Sequence, residues 1–305
     1  MAVLNADGAQ VEFGYIVEAT YGATPEAPEL KQLRFNTDSL DIVKPGLTSG
    51  EIRADRRITG LRHGNRQVGG MINAELAFTD FDDMIEAVMM GTWATDQVRM
   101  GTTFRSFQIE KGYKDVAEFE LFSGMVVNTM SISVRLNQIV TVSFGFIGSD
   151  MVPAQLTVDT SGALTAPTSG LAPFDAFTGS VTGDTSAMIT GLDFTVSNNG
   201  QPAFTLFDPA AIEVDLGRSK ITGTITGHFQ NDTIKDKYLA ETESELVLTL
   251  TDPADNDLEF DFPAIKYTGA ATPVTGEGPI IMSVPFEAYY KGDGDLSNLI
   301  IDSTP

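Results

Sequence analysis

Apolar and polar positions alternate along much of the chain. In residues 127–135, VNTMSISVR, Met130, Ile132 and Val134 point one way, and Thr129, Ser131, Ser133 and Arg135 the other. Residues 139–147, IVTVSFGFI, set Val140, Val142, Phe144 and Phe146 against Thr141, Ser143 and Gly145. A period of two marks half-buried strands, because successive side chains leave a strand on opposite faces. The three residues between them, 136–138, predict a hairpin and hence an antiparallel pair. Helical periodicity is scarce. Residues 79–91, TDFDDMIEAVMMG, carry Phe81, Ile85, Val88 and Met89 as an apolar stripe. Thr79 and Asp82 stand at capping-box spacing, and Gly91 suits the helix end.

The same pattern is written twice. QVGGMINAELAF from Gln67 and KITGTITGHFQN from Lys220 agree in their apolar and glycine positions at an offset of 153 residues (220 − 67). At the same offset a second helix is predicted from Asp232, with Ile234 and Tyr238 at the places of Phe81 and Ile85. Both copies continue with a strand, a polar turn and a strand of related form, AEFEL at 117–121 and LEFDF at 258–262. Each ends in an alternating strand, at 139–147 and 280–290, and residues 31–43 find a counterpart at 189–200. The expectation is an all-β chain with one short helix per repeat, in two tandem units, 1–154 and 155–305. The second unit opens with a linker rich in Ala, Thr, Ser, Gly and Pro, reaching to about residue 180 and containing at most one short strand.

Composition narrows the functions. A chain of 305 residues with 42% hydrophobic content can build two cores. It has no cysteine, which removes disulfides, thiolate metal sites and cysteine nucleophiles. No apolar run is long enough for a membrane helix. The opening residues lack the basic and apolar blocks of a signal peptide, so folding in a cytoplasm is expected. With 19 basic and 42 acidic residues the net charge is −23, unsuited to general nucleic-acid binding, which depends on neutralising phosphates.

No catalytic constellation is visible, and no enzyme activity or cofactor is expected. His63 and His228 stand far apart and read as surface histidines. The sequence KGDGDLSN at 291–298 puts Asp293, Asp295 and Ser297 at alternate positions, but it lacks the glycine and distal glutamate of a calcium loop and reads as a turn. The acids of 252–261 alternate with Leu258 and Phe260 and read as the wet face of a strand. Asn231 opens a glycosylation-type triplet that means nothing without secretion. One charge feature stands out. Residues 51–67 hold Arg53, Arg56, Arg57, Arg62 and Arg66 against Glu51 and Asp55. An arm of arginines in an acidic chain suits docking on an acidic surface, such as another copy, because a guanidinium pairs bidentately with carboxylates.

Four segments carry a resemblance: EATYGATPE at 18–26, RRITGLRHGNRQVGGMINAEL at 56–76, residues 107–148, and ITGLDFTVSNN at 189–199. Their ordered set resembles the tail tube proteins of long, non-contractile-tailed bacteriophages, in the duplicated form. The resemblance implies two sandwich-like tube domains, each lending about four strands to a barrel that closes between subunits. It implies a ring of three chains in place of six single-domain ones, stacked rings, and double-stranded DNA passing through without specific binding. Partners would be further copies and the tape measure, terminator and distal tail proteins. The location would be the virion tail, assembled in the host bacterial cytoplasm, with no membrane contact. The arginine stretch would lie at the inter-ring contact, and no immunoglobulin-like decoration is expected outside the tube. The residues expected to face the lumen are Asn73, Glu75, Thr129, Ser131, Ser133, Thr141, Ser143, Thr224, Thr226 and Glu287, giving a negative lining, with Arg135 as an exception at a rim. The sequence also leaves open another ring-forming tail component, such as a distal tail or terminator protein, or the tube of a secretion machine. From a different class it leaves open an acidic carbohydrate-binding or adhesin-like sandwich. Such a module would expose aromatic platforms, whereas the only tryptophan, Trp93, follows a predicted helix.

Overall fold

The computed structural model describes residues 5–167, 172–183, 188–274, 276–292 and 297–305. In the first half, β1 (Val11–Val17) and β2 (Lys31–Leu33) precede two short strands, β3 (Thr37–Asp38) and β4 (Asp41–Val43). A two-stranded arm, β5 (Gly46–Thr48) and β6 (Leu61–His63), leads into β7 (Gln67–Glu75) and helix α1 (Asp82–Met89). There follow β8 (Gln97–Arg99), β9 (Phe107–Tyr113), the long β10 (Glu118–Arg135), β11 (Thr141–Gly148) and β12 (Asp150–Ala154). The second half has β13 (Gly179–Gly183), β14 (Met188–Ser197), a small hairpin of β15 (Gln201–Ala203) and β16 (Glu213–Asp215), β17 (Lys220–His228) and α2 (Thr233–Leu239). It ends with β18 (Ser244–Thr251), β19 (Asp257–Tyr267), β20 (Ile281–Ala288) and β21 (Ile300–Thr304).

These strands make one central antiparallel sheet and two flanking ones. The central order is β3 and β4, then β7, β11, β10, β14, β17, β20 and the C-terminal end of β19. The first flanking sheet runs β2, β1, β9, the N-terminal part of β10, β12. The second runs β13, β18, the N-terminal part of β19, β21, β8. Strands β10 and β19 therefore serve two sheets each. β10 changes sheets through irregularities between Phe122 and Met125, where Gly124 has φ +63°, and between Val127 and Thr129. Extra residues of this kind bend a strand and raise its twist.

The alternation read from the sequence now has a physical meaning. Met130, Ile132, Val142, Phe144 and Ile72 turn inward from the central sheet, against Phe13, Phe107, Ile109 and Phe122 of the first flanking sheet. In the second half Phe194 packs at a tilt against Phe260 and edge-on against Phe262, with ring centroids 5.2 and 5.1 Å apart, and Phe262 meets Phe286 at 5.7 Å. Each fully buried side chain of this size contributes about 1.5–3 kcal/mol, and each aromatic pair adds about 0.5–1.5 kcal/mol.

Helix α1 covers the edge of the first core with Met84, Ile85, Val88 and Met89, and Phe81 reaches Phe144 at 5.6 Å. The expected capping box is absent: Phe81 occupies the N-cap and no side chain caps the helix. Thr79 adopts φ +60° two residues earlier, so its hydroxyl is not placed to receive the helix amides. At the other end the left-handed residue is Met90, not Gly91. Gly91 is small for a different reason, since a Cβ there would lie 2.1 Å from the Arg99 carbonyl oxygen. In α2 the counterpart of Ile85, Tyr238, is exposed and Ile234 alone is buried, because this shorter helix covers less of its core.

Described residues of the segment expected to be a linker are laid along the first half. Thr165 exchanges backbone hydrogen bonds with the Leu30–Gln32 segment, and Phe174 does so with Leu76 and Val140 while its ring is fully buried. The halves are further joined by β8, which pairs with β21, and by Asn198, whose amide donates to the Val88 carbonyl at the end of α1.

Candidate functional site

The ten residues expected at a channel wall come together on one face of the central sheet. Asn73 lies opposite Ser143, and Glu75 opposite Thr141. Ser143 lies opposite Ser131, Thr141 opposite Ser133, and Gly145 opposite Thr129. Across the midline Ser131 faces Thr195 and Ser133 faces Asp193. Thr224 then faces Asp193 and Pro285, Thr226 faces Ser283, and Thr222 faces Glu287. Directly opposed residues share a face, so the set is continuous across both halves. The face is kept shallow: a Cβ on Gly145 would lie 2.3 Å from the Thr129 hydroxyl oxygen.

The β10–β14 seam is cross-linked on this face. The hydroxyls of Ser131 and Thr195 are 2.8 Å apart, Ser133 donates to Asp193 at 2.6 Å, and Arg135 pairs with Asp193. Arg135 sits at the last position of β10, at the rim of the sheet. Lys220 pairs with Glu287 at 3.2 Å, and Lys266 stands directly opposite Glu287. The acids of the face, Asp41, Glu75, Asp193 and Glu287, are thus largely offset by Arg135, Lys220 and Lys266. This is much closer to balance than the net charge of −23 suggests. The excess acid sits elsewhere, partly on the first turn of α1 and partly on the second flanking sheet.

The arginine stretch forms the arm between β4 and β7. Ile52 and Ile58 near its tip are 99% and 73% exposed. Arg53 binds Asp55 through two nitrogens, each at 3.1 Å, and Arg66 at the base pairs with Asp150 while its amide donates to the Pro209 carbonyl. Among the described residues, the side chains of Arg56, Arg57 and Arg62 have no carboxylate partner. The equivalent loop of the second half, residues 198–219, is of similar length and opposite sign, with Asp208, Glu213 and Asp215 against Arg218. It folds back on the first half, where Ser149 and Ala211 exchange hydrogen bonds. A family model described as phage tail tube protein matches residues 8–288. The chain belongs to the phage tail tube protein family. No individually curated protein matches it. Tail tube proteins are structural. Their place is the virion tail, where they assemble with themselves and with other tail components. No described helix of this tail tube protein is long and apolar enough to cross a membrane.

Other features of the tail tube protein left little trace in its sequence. Glu18, Glu110 and Asp159 are buried. Glu18 accepts from the Gly22 and Gly124 amides, both at 2.8 Å, and from Ser106 at 2.6 Å. Glu110 accepts from Thr157 and the Val158 amide at 2.7 Å, pinning the segment after β12. Two carboxyls are pushed up. Asp82 rises to about 7 through burial and then through Asp83, Glu86 and Asp80, against a lowering by Lys31. Asp261 rises to about 6 through burial, Glu259, Glu245 and Asp302. His63 is exposed on the arm and His228 ends the polar face of β17. Trp93 packs back on α1, its indole donating to the Asp82 carbonyl at 3.3 Å, and offers no platform. The Asn231 side chain accepts from the Thr233 amide at the start of α2. Among the described residues no three acids or histidines cluster as metal ligands. Asp293 and Asp295 lie outside the described residues, and Ser297 accepts a bond from the Met100 amide.

Proposed function

We propose that this chain is the major tail tube protein, closing rings of three copies around a DNA channel. The observation that carries the proposal is the central sheet: eight strand positions, four from each half, with one unbroken polar face and a core behind it. Two tube units, 1–154 and 155–305, each supply a set of four strands, so three chains supply six such sets. The polar face becomes the lumen, with Asn73, Glu75, Thr129, Ser131, Ser133, Thr141, Ser143, Thr224, Thr226 and Glu287 lining it. The wall is hydroxyl-rich and weakly negative. Two of its bases, Arg135 and Lys220, are engaged by neighbouring acids, so few cations are free to neutralise phosphates, and double-stranded DNA passes without being held.

Stacking is assigned to the arm, with Arg53, Arg56 and Arg57 near its tip and Arg62 on β6. The arm leaves the sheet at the end marked by Val43 and Gln67. At the opposite end Leu136, Ile139, Phe177 and Met188 are exposed and apolar, which suits a head-to-tail contact repeated from ring to ring. Tape measure, terminator and distal tail proteins would meet the two ends of such a stack in the host cytoplasm. Negative-stain microscopy of the purified protein is the test. End-on views with threefold symmetry and a central hole, and side views of stacked tubes, are expected. Closed rings that never stack would favour a terminator or distal tail role, and dispersed particles without a channel would overturn the reading.

A further inference from the structure

Among the described residues, the central sheet ends in two strands with one side unpaired. At one edge, β3 and β4 pair, among the described residues, only with β7. At the other, the described residues following β19 pair, among the described residues, only with β20, through reciprocal backbone bonds of 3.2 and 3.1 Å between Ala271 and Ser283. Open edges of this kind are templates for another strand.

The duplication specifies which strand. Asp38 stands opposite Ile72, and Leu192 opposite Ile225. Asp41 and Thr195 stand opposite Gly69 and Thr222 in the same way. Residues 37–43 therefore correspond to 191–197, at an offset of 154 (192 − 38). Ala271 stands opposite Ser283 as Ser131 stands opposite Ser143, an offset of 140 (271 − 131). Lys266 opposite Glu287 matches Val126 opposite Ile147 at the same offset. The two free edges are thus the second copies of the two strands that already meet inside the chain, where Thr129 faces Ser197, Ser131 faces Thr195 and Ser133 faces Asp193.

We infer that the internal β10–β14 seam is repeated between copies, with residues 269–274 of one chain pairing antiparallel with residues 38–43 of a second. This rests on the tube reading and adds its register. Gly269 lies opposite Val43 of the second copy, Ala270 opposite Ile42, Ala271 opposite Asp41, and Thr272 opposite Leu40. The backbone supports it. Ala271 spends its N–H and C=O on Ser283, so those of Ala270 and Thr272 point to the free edge. Pro273 has the parity of Ala271, so its missing N–H is not one the seam requires. The seam between copies also lacks the side-chain links of the internal one. Where Ser131 meets Thr195, Ala271 meets Asp41. Where Asp193 binds Ser133 and Arg135, Ser39 stands in its place. Rings should consequently come apart between copies and not within them.

The absence of cysteine makes the register directly testable. Ala271 and Asp41 would form a non-hydrogen-bonded pair with Cα atoms about 4.5 Å apart, within disulfide range. Ring preparations of Ala271→Cys/Asp41→Cys, oxidised and run without reductant, should give covalent species up to three chains that collapse on reduction. Ala271→Cys/Ser39→Cys, two residues out of register, should give at least tenfold less. Ser131→Cys/Thr195→Cys should close only within one chain. Rings that stay uncross-linked in the first variant, or that cross-link in the second, would overturn this register and leave the tube reading standing. Wild-type protein that forms no rings at all would remove both. Ala270→Pro, which deletes an outward N–H, provides a second reading. It should keep the wild-type circular dichroism yet remain single chains, and rings formed by it would also overturn the seam.

Discussion

Glu18 shows how a single side chain can tie distant parts of the fold. Its two oxygens receive the Gly22 amide, the Gly124 amide and the Ser106 hydroxyl. These come from the loop after β1, the bend in β10 and the segment before β9. The bend is tight: Gly124 has φ +63°, and a Cβ there would lie 2.8 Å from both Tyr21 and Ser149. Removing the carboxylate leaves two amides and a hydroxyl unsatisfied in the interior. Glu18→Ala should cost about 2–4 kcal/mol, more than a surface acid, because unpaired buried donors carry their full desolvation penalty. Urea denaturation measures it, and a loss below about 0.5 kcal/mol would mean that water replaces the carboxylate. Nothing in EATYGATPE distinguishes this buried glutamate from exposed Glu26. The three donors are separated from it by up to 106 residues and meet it only in the fold.

At the scale of elements, the acids of α1 and of the second flanking sheet determine how stability follows pH. Asp80, Asp82 and Asp83 crowd the start of α1, where Lys31 binds Asp83 at 2.5 Å and Arg34 binds Asp80 at 2.7 Å. Asp82 gains no such partner and its carboxyl rises to about 7, while Asp261 among Glu259, Glu245 and Asp302 rises to about 6. Both folded values exceed the unfolded one near 3.9. The folded state therefore holds these protons more tightly, and stability increases as pH falls from about 8 to about 5. The thermal midpoint should be higher at pH 5 than at pH 8, and Asp82→Asn with Asp261→Asn should flatten the difference. A midpoint that falls steadily from pH 8 to pH 5 would contradict this. The elements themselves were readable because each carries its own periodicity. The ends of α1 were not, since Phe81 and Met90 occupy those positions for packing reasons and displace the side-chain and glycine caps that local rules favour.

For the whole molecule, the two long loops of the duplication have parted company. Residues 198–219 fold down on the first half, whereas residues 44–66 project with three arginines lacking carboxylate partners among the described residues. A subunit of net charge −23 repels its copies, so stacking requires a local reversal of sign. Exposed ion pairs contribute only about 0–1 kcal/mol each, but three per arm, repeated around every ring and shielded from water, can decide assembly. Arg56→Ser/Arg57→Ser/Arg62→Ser should leave the subunit folded, since none of the three side chains has a carboxylate partner within it and the backbone bonds of these residues survive the change, and should shorten or abolish tubes. Raising salt should act in the same direction on the wild type, because screening weakens exposed pairs. Tubes of normal length and salt resistance from the triple variant would show that the arm is only solvated. Arg66 is left out of this test because its pairing with Asp150 makes it an anchor of the arm.

The sequence by itself determined the strands, the helices, the duplication and the sidedness of the polar set. Each is written in short-range periodicity or in self-similarity at a fixed offset, and neither depends on where the rest of the chain lies. Thr129, Ser131, Ser133, Thr141 and Ser143 share a face simply because alternation and a three-residue turn require it. Only the tertiary structure decided that β10 joins β14, carrying that face from one half to the other. Strand pairing across some sixty residues is set by complementary backbone edges and core volume, which no local pattern encodes. The same holds for the charge of the face, where Arg135, Lys220 and Lys266 meet acids from other strands. It holds too for the segment expected to be a linker, where Phe174 and Phe177 look alike in LAPFDAF, and only Phe174 is buried, its backbone bonded to Leu76 and Val140.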